Sequence, residues 1–369
     1  MGAIGDVIVV GAGVIGCAIA HELASRGVAV RLFDTRSIGG GATQASAGVL
    51  APLVEVHEQG ALLDMARRSL ALYDGFVERV QRDSGLDIEF RRCGTLEVAA
   101  DDARAAELRA RAAAAEPRSV EWCSQEQVAV LEPLLSATSR GGLLVRNHGY
   151  VVPSALTEAL AWAAMRHGAQ VETHRTIARI VPEAEAVRAI AEDGATWSAG
   201  AVVLATGSWT DRLAIGRTPQ AHVHPIRGQL LRLAWHGPRP QHIVWGERCY
   251  VVPWLDGTVL VGATMEDVGF DERTTAAGVR DLLEAVCELL PQAWTATFLQ
   301  ARVGLRPATP DGLPILGSTP AAPGVIYATG HFRNGILLAP LTALLIADLV
   351  TRSTADPVLE ALSPSRFAS

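Results

Sequence analysis

Two arginines near the C-terminus stand where a small carboxylate could be recognised. Arg306 lies in the run Gly-Leu-Arg-Pro at residues 304–307, and Arg333 lies in Gly-His-Phe-Arg-Asn-Gly at residues 330–335. Both runs are typical of glycine-flanked turns. The planar fork of arginine can bind both oxygens of a carboxylate, which lysine cannot do. Because Pro307 restrains the backbone before it, Arg306 is the better candidate for a carboxylate clamp. The alternatives are a structural ion pair for Arg306 and a charge at a helix end for Arg333.

Tyr250 is a further candidate for contact with the substrate. It lies in an apolar run with Val251 and Val252, which predicts a strand. Its hydroxyl could donate a second hydrogen bond to a carboxylate, and a core tyrosine with a satisfied hydroxyl is the alternative. No metal site is predicted, because His222 and His224 have no further His, Cys or carboxylate cluster to complete a ligand shell.

A dinucleotide-binding motif stands at the other end of the chain. Residues 7–10 are an apolar strand, and Gly11, Gly13 and Gly16 follow it. Gly11 permits a tight turn, Gly13 lets the backbone approach a pyrophosphate, and Gly16 allows a helix to pack closely on the strand. The pattern therefore predicts that a dinucleotide is bound here.

The elements after these glycines make the prediction more specific. The helix expected at residues 14–26 would direct its unpaired N–H groups and its positive dipole end at the phosphates. The next strand, residues 28–33, ends at Asp34, 18 positions after Gly16. A carboxylate at that distance can bind both ribose hydroxyls.

Two further segments favour FAD over a nicotinamide dinucleotide. Residues 39–48 are small and carry neither proline nor charge, which suits close contact with a flat ring and a pyrophosphate. A flexible surface loop is the alternative. Residues 201–204 form an apolar strand that ends in Ala-Thr-Gly at residues 205–207, and we expect it to return to the same sheet beside the cofactor.

Composition narrows the class of protein. The chain has 369 residues and a net charge of -7, and no cluster of basic residues stands out, so we expect no nucleic-acid partner. The five cysteines are scattered without a Cys-x-x-Cys, which favours a reducing compartment without disulfides. The apolar run at residues 336–350 is interrupted by Pro340 and Asp348 and is shorter than the roughly 20 residues of a membrane span. We therefore expect a buried helix, no membrane span and a cytoplasmic protein.

The succession of elements predicts an α/β fold. We expect a Rossmann-like FAD-binding domain interleaved with an α+β substrate domain that contains a mainly antiparallel sheet. The FAD-binding domain would take residues 1–85, 148–220 and 301–369. The substrate domain would take residues 86–147 and 221–300, with strands at 91–100, 224–233, 249–254 and 258–264 and helices at 102–115 and 276–290.

These motifs together resemble the FAD-dependent amine and amino-acid oxidase family, which includes D-amino-acid oxidase, sarcosine oxidase and glycine oxidase. The resemblance extends over nearly the whole chain, and the runs at residues 261–265, 304–307 and 330–340 are similar to the glycine-oxidase branch. It implies oxidative deamination of glycine, sarcosine and small D-amino acids by hydride transfer from Cα–H to the flavin. Dioxygen would be reduced to hydrogen peroxide, and the imine product would serve thiamine biosynthesis.

The resemblance also implies roles for particular residues. Arg306, Tyr250, Arg333 and Met265 would form the substrate site, and His331 is a weaker candidate for a general base. FAD would be held without a covalent bond, because the stretch around Arg306 lacks the cysteine of the covalent sarcosine-oxidase relatives. The residues expected at the cofactor are Gly11, Gly13, Val14, Ile15, Gly16, Asp34, Thr35, Ala42, Thr43, Ala47, Gly48, Val49, Ile177, Gly207, His331, Phe332, Arg333, Asn334, Gly335, Ile336 and Leu337.

Several alternatives stay open at this stage. Val49 stands where the best-studied glycine oxidases commonly have a methionine, so the preference among glycine, sarcosine and small D-amino acids is undecided. A D-amino-acid or sarcosine oxidase, or a dehydrogenase that passes electrons to a quinone, is the alternative within the class. A non-catalytic flavin-binding subunit of a complex is the alternative outside it. We expect a homo-oligomer, without a prediction of its size.

Overall fold

The structure is a computed structural model that describes residues 5–56, 60–114, 120–216, 221–352 and 355–367. The strands of the described residues are β1 (Asp6–Val10), β2 (Ala29–Phe33), β3 (Val49–Leu50), β4 (Phe90–Arg91), β5 (Thr95–Val98), β6 (Val120–Cys123), β7 (Gly142–Val145), β8 (Gly149–Val151), β9 (Gln170–Glu172), β10 (Ile177–Pro182), β11 (Val187–Ala191), β12 (Thr196–Ala199), β13 (Ala201–Leu204), β14 (Ala214–Ile215), β15 (His224–Ala234), β16 (Ile243–Trp245), β17 (Tyr250–Pro253), β18 (Thr258–Gly262), β19 (Thr297–Ala308), β20 (Ile315–Thr319) and β21 (Ala322–Thr329). The α-helices are α1 (Val14–Ser25), α2 (Pro52–Glu55), α3 (Ala61–Ser84), α4 (Asp102–Ala114), α5 (Gln125–Leu131), α6 (Pro153–Arg166), α7 (Ala276–Leu289), α8 (Gly335–Arg352) and α9 (Val358–Leu362).

A six-stranded sheet carries the dinucleotide motif. Its order is β20-β21-β13-β1-β2-β9, and all neighbours are parallel except β20 and β21. The strands come from widely separated parts of the chain, so this sheet is interrupted in sequence by other structure. The carboxyl ends of β1, β2 and β13 lie side by side, which is where ligands bind to open parallel sheets.

The two faces of this sheet are covered by different layers. Val7 and Val9 of β1 pack in a core with α1, α3, α6 and α8. Ile8 and Val10 point to the other face and pack against the four-stranded sheet β12-β11-β10-β14. Because side chains alternate along a strand, a run of four apolar residues in β1 supplies both cores.

The second large sheet is mainly antiparallel. Its order is β19-β15-β18-β17-β16-β5-β7-β6, and only the β16–β5 pair is parallel. The helix α7 covers one face. On the other face, a small cluster that includes Leu230, Val252 and Leu260 packs around Ala47 and Tyr150, which come from the loop after β2 and from the three-stranded sheet β3-β8-β4.

Three details of the sequence prediction differ from the structure, and one predicted domain boundary falls within a strand. Arg306 lies inside the continuous strand β19, not in a turn after a strand, because residues 297–308 pair with β15. The predicted domain boundary between residues 300 and 301 therefore falls within one strand. The strand expected at residues 91–100 is split into β4 and β5 around Gly94, whose φ is 76°. The run at residues 39–48 includes a short 3-10 helix, Ala42–Ala45.

Other predicted elements agree to within a residue or two. Helix α4 follows the predicted range, and Ala115, its predicted last residue, lies outside the described residues. The predicted boundary at residue 220 also lies outside them. Helix α8 is long and apolar enough to cross a membrane by length and composition alone, and 67% of it is buried within the protein. The division of the chain into five domain segments stays a prediction.

Candidate active site

A cavity of about 660 Å³ lies where the two large sheets approach each other. The carboxyl ends of β1, β2 and β13 line one part of it, and β17, β19 and the segment after β18 line another. The start of α8 closes the side between these two parts. Residues that are distant in sequence are therefore brought to a single site.

Asp34 marks the nucleotide end of the cavity. Its Oδ2 accepts a hydrogen bond from the Ala12 N–H at 2.6 Å, and its Oδ1 accepts one from the Arg36 N–H at 2.7 Å. Burial raises the pKa of Asp34, while these two backbone donors act in the opposite direction. The carboxylate is thus fixed at the end of β2, beside the glycine turn.

Two of the three glycines in the turn, Gly11 and Gly16, leave no room for a side chain. A Cβ on Gly16 would lie 1.8 Å from the Gly11 carbonyl oxygen, so Gly16 is needed for α1 to pack against the turn. Gly11 has a φ of 107°, a conformation that side chains rarely allow. The Thr43 hydroxyl accepts the Val14 N–H at 3.1 Å. The small-residue run therefore supports the first turn of α1.

These residues fit the dinucleotide that the sequence predicts. A half-buried carboxylate, the glycine turn and a helix start all face the same cavity. Two arginines lie beside them: Arg36 stands 4.5 Å over the Trp209 ring, and Arg212 stands 3.5 Å over the Phe270 ring. Arg36 is itself paired with Glu272, so the Arg212 guanidinium and the helix N-terminus are the groups that suit a pyrophosphate.

Arg306 lies at the other end of the cavity. Its Nη1 donates to the Thr264 carbonyl at 2.9 Å and to the Arg227 carbonyl at 3.4 Å. Within the part of the chain that the structure describes, none of the ion pairs includes Arg306. Burial lowers the pKa of Arg306, but a guanidinium stays protonated in proteins. The cavity therefore holds a half-buried positive charge that forms no ion pair with a carboxylate of the described chain, although Glu55 and Glu266 lie near enough to favour its charged form. The structural-ion-pair alternative thus gains no support.

Two glycines make room for the side chains at this end. A Cβ on Gly228 of β15 would lie 2.3 Å from the guanidinium of Arg306, and a Cβ on Gly262 of β18 would lie 2.3 Å from the hydroxyl of Tyr250. Tyr250 stacks on Trp245 with ring centroids 4.7 Å apart. Burial raises the pKa of Tyr250 to about 12. Its hydroxyl is therefore protonated at neutral pH and can donate a hydrogen bond.

Glu55 is a cavity residue that the sequence prediction missed. It ends the short helix α2, its side chain is 10% exposed, and burial raises its pKa. Arg333 lies beside it: Arg333 Nε is 3.1 Å from Glu55 Oε2, and Arg333 Nη2 donates to the Glu55 carbonyl at 2.9 Å. Arg333 is thus paired where Arg306 is not. A lone acid in the apolar run at residues 51–56 is the signal that could have identified Glu55.

The turn at residues 330–334, before α8, is held to β19 by a backbone hydrogen bond. Phe332 has a φ of 49° and donates its N–H to the Pro307 carbonyl at 2.9 Å, so the turn is tied to the strand that carries Arg306. The buried His331 has its Nε2 3.1 Å from Thr342 Oγ1, and burial lowers the pKa of His331 to about 3. A general-base role for His331 gains no support from this position.

Most of the predicted site residues line the one cavity. All four residues expected at the substrate line the cavity. Met265 is 69% exposed. Four of the residues expected at the cofactor do not line it: Gly16, Gly48, Asn334 and Leu337. Gly16 and Gly48 instead allow close backbone packing, since a Cβ on Gly48 would lie 1.8 Å from the Val151 oxygen. Leu337 lies in the core, 1% exposed.

Comparisons with known proteins agree with the geometry. A family described as FAD dependent oxidoreductase (DAO) matches residues 6–349. The chain is 35% identical over 353 residues to a glycine oxidase of Geobacillus kaustophilus, with 94% of this chain and 93% of that protein covered. It is 34% identical to the bifunctional protein ThiO/ThiG of a Nostoc species, where 98% of this chain covers 55% of the relative. The crystal structure of glycine oxidase from Geobacillus kaustophilus matches with a TM-score of 0.92 at 33% identity and covers all of both chains. The predicted α/β fold class is thereby confirmed.

Proposed function

The chain belongs to the family of FAD-dependent oxidoreductases and uses FAD, and on this premise we propose that it oxidises glycine and other small amino acids or amines. Support comes from the names of its relatives, glycine oxidase among them, and from the cavity. The substrate would bind between the cofactor residues around Gly11 and the polar groups around Arg306.

The main support for this proposal is the environment of Arg306. Arg306 carries a half-buried guanidinium. Among the described residues, its hydrogen bonds are donated by Nη1 alone, to two carbonyl oxygens. Its remaining donors face a cavity that also contains the protonated hydroxyl of Tyr250. A cation withdrawn from water without an ion-pair partner is costly, and a ligand carboxylate that accepts hydrogen bonds from both groups would reduce this cost. The site thus favours an anionic end on the substrate.

The protein groups account for orientation and selectivity. Arg306 and Tyr250 would fix the carboxylate, so that the substrate Cα is directed toward the flavin end of the cavity. When bound, FAD supplies the two-electron acceptor for the Cα–H hydride. Val49, Met265 and Glu55 line the cavity and would limit the size and charge of the substituents on the substrate. Fixing the reacting atoms in this way is a major source of rate acceleration.

We further propose non-covalent FAD, a homo-oligomer and a cytoplasmic enzyme whose imine product serves thiamine biosynthesis. The name ThiO/ThiG of one relative supports the link to thiamine. Non-covalent binding is supported near Arg306, where residues 297–308 contain no cysteine. The imine would be released and hydrolysed by water, or consumed by a following reaction.

Anaerobic mixing of the FAD-loaded protein with substrate tests the proposed activity. Glycine, sarcosine and D-alanine should bleach the flavin absorption, while methylamine, which lacks the carboxylate, should not at the same concentrations. Readmission of air should restore the colour and release one hydrogen peroxide for each flavin reduced.

Other outcomes separate the alternatives. Bleaching that air does not reverse, but that a quinone or dye does, would identify a dehydrogenase. A flavin that none of these compounds reduces would contradict the proposed activity and favour a non-catalytic flavin subunit.

A further inference from the structure

A cluster of three side chains outside the cavity brings two imidazoles to one carboxylate. His21 lies in α1, Asp83 lies in α3, and His167 directly follows α6. His21 Nε2 is 2.9 Å from Asp83 Oδ2, and His167 Nε2 is 3.3 Å from the same oxygen. One donor atom from each residue lies within 4.8 Å of the other two. None of the three residues lines the FAD cavity.

The donor set and its spacing suit a transition-metal ion. Histidine nitrogen and aspartate oxygen bind Zn²⁺ at about 2.0–2.2 Å in a tetrahedron, which places ligand atoms about 3.4 Å apart. The separations of 2.9 and 3.3 Å are close to this spacing. Two imidazoles disfavour Mg²⁺ and Ca²⁺, which take oxygen ligands, and favour Zn²⁺ or a similar ion.

The three residues are held by packed helices. Helices α1, α3 and α6 contribute to one hydrophobic core, so the positions of the ligands are set by the fold and not by flexible loops. The side chain of His21 is fully buried, that of Asp83 is 13% exposed and that of His167 is 37% exposed. The cluster therefore has a rigid inner side and an open outer side, where an ion could enter and a water could complete the tetrahedron.

Two cations lie near the cluster, and one of them contacts a residue of the cluster. Arg79 forms an ion pair with Glu22. Arg82 Nε is 3.3 Å from Asp83 Oδ1, the oxygen that faces away from the imidazoles, and the Arg82 side chain is 66% exposed. Asp83 Oδ2 thus remains directed at the two rings. Without a metal, the same oxygen can accept hydrogen bonds from both rings, which is the rival explanation of the cluster.

We propose that His21, Asp83 and His167 bind one Zn²⁺ or a similar divalent transition-metal ion. The ion would cross-link α1, α3 and α6. The N-terminus of α1 lies at the glycine turn, so the cross-link would stabilise the helices that pack on the six-stranded sheet. The ion would take no part in the proposed oxidation.

Calorimetric titration of the FAD-loaded protein with Zn²⁺, after dialysis against a chelator, tests the proposal. We expect one Zn²⁺ for each chain, and the ligand-field absorption of tetrahedral Co²⁺ when Co²⁺ replaces it. Saturating Zn²⁺ should raise the unfolding temperature, since an ion that binds only the folded state stabilises it.

Two variants make the test specific. His167→Gln removes a proposed ligand whose side chain is partly exposed. Loss of a residue that only supports a ligand weakens metal binding by about ten- to a hundredfold, so loss of a ligand itself should weaken Zn²⁺ binding by roughly a hundredfold or more. His224→Gln removes an exposed imidazole from another part of the fold and should bind Zn²⁺ as the wild type does. Absence of binding in the wild type, or equal binding by His167→Gln, would overturn the proposal and leave the hydrogen-bonded explanation.

Discussion

At the scale of residues, the two C-terminal arginines differ in their partners. Within the described ranges of the chain, Arg306 donates hydrogen bonds to carbonyl oxygens alone, whereas Arg333 lies against Glu55. Their sequence contexts looked alike, and the difference arises because α2 brings an acid to one of them. We therefore propose Arg306 as the carboxylate clamp, with Arg333 and Glu55 as the neighbouring wall of the site.

The Tyr250→Phe variant should lose affinity for glycine. A hydrogen bond to a charged group contributes about 1.5–3 kcal/mol, so the glycine concentration for half-maximal flavin reduction should rise by about ten- to a hundredfold. Stopped-flow absorbance under nitrogen measures this.

Tyr327→Phe is the matched control for this prediction. It removes a hydroxyl from a buried tyrosine of β21 that does not line the cavity, and should leave the half-saturating glycine concentration unchanged. Equal affinity in Tyr250→Phe and the wild type would show that the Tyr250 hydroxyl does not contact substrate.

At the scale of elements, strand β15 makes room for the side chain of Arg306, which lies on the neighbouring strand β19. Gly228 of β15 leaves the space that the Arg306 guanidinium fills. The sequence shows glycine at position 228, but strand pairing is needed to place it beside Arg306, and the register of β15 on β19 was not predictable from either strand alone.

The Gly228→Ala variant should impair glycine oxidation while leaving FAD bound. The added Cβ would displace the guanidinium, whose flexible end can move without disturbing the sheet, and the half-saturating glycine concentration should rise at least about tenfold, since even a displacement of about 1 Å is costly in a catalytic site. Gly75→Ala, in α3 with open space around it, is the control. Normal kinetics in Gly228→Ala would show that Arg306 need not occupy its present position.

A second element-scale prediction concerns pH and the start of β8. Burial lowers the pKa of His148 to about 3, and its Nδ1 is hydrogen-bonded to Thr95 of β5. The unfolded chain takes up a proton at His148 near its ordinary pKa of about 6.5, and the folded chain does so only near pH 3. Stability from this residue is thus present above pH 6.5 and is lost as the pH falls toward 3.

His148→Asn should remove this contribution, because an amide can keep the bond to Thr95 but does not titrate. Between about pH 6 and pH 4 the free energy of unfolding should fall less steeply in the variant, by about 1.4 kcal/mol per pH unit. Urea unfolding at saturating FAD, repeated across this range, measures both slopes. Parallel curves would rule out a neutral His148 in the folded state.

At the scale of the whole molecule, the proposed site belongs to neither large sheet alone. Asp34 comes from the six-stranded sheet and Arg306 from the eight-stranded sheet. Local patterns predicted the glycine motif and the strand before it, since both depend on neighbours in sequence. Glu55 and the cluster of His21, Asp83 and His167 were missed because their partners are brought together only by packing of distant elements.

The most direct test of the proposed function is the anaerobic reduction of bound flavin by glycine in the Arg306→Met variant. Loss of a buried charge pair with the substrate carboxylate should cost about 2 kcal/mol or more, so the half-saturating glycine concentration should rise by about thirtyfold or more. Arg302→Met, on the same strand but outside the cavity, should behave as the wild type does. Wild-type reduction by glycine in Arg306→Met would contradict the carboxylate clamp on which the proposed function rests.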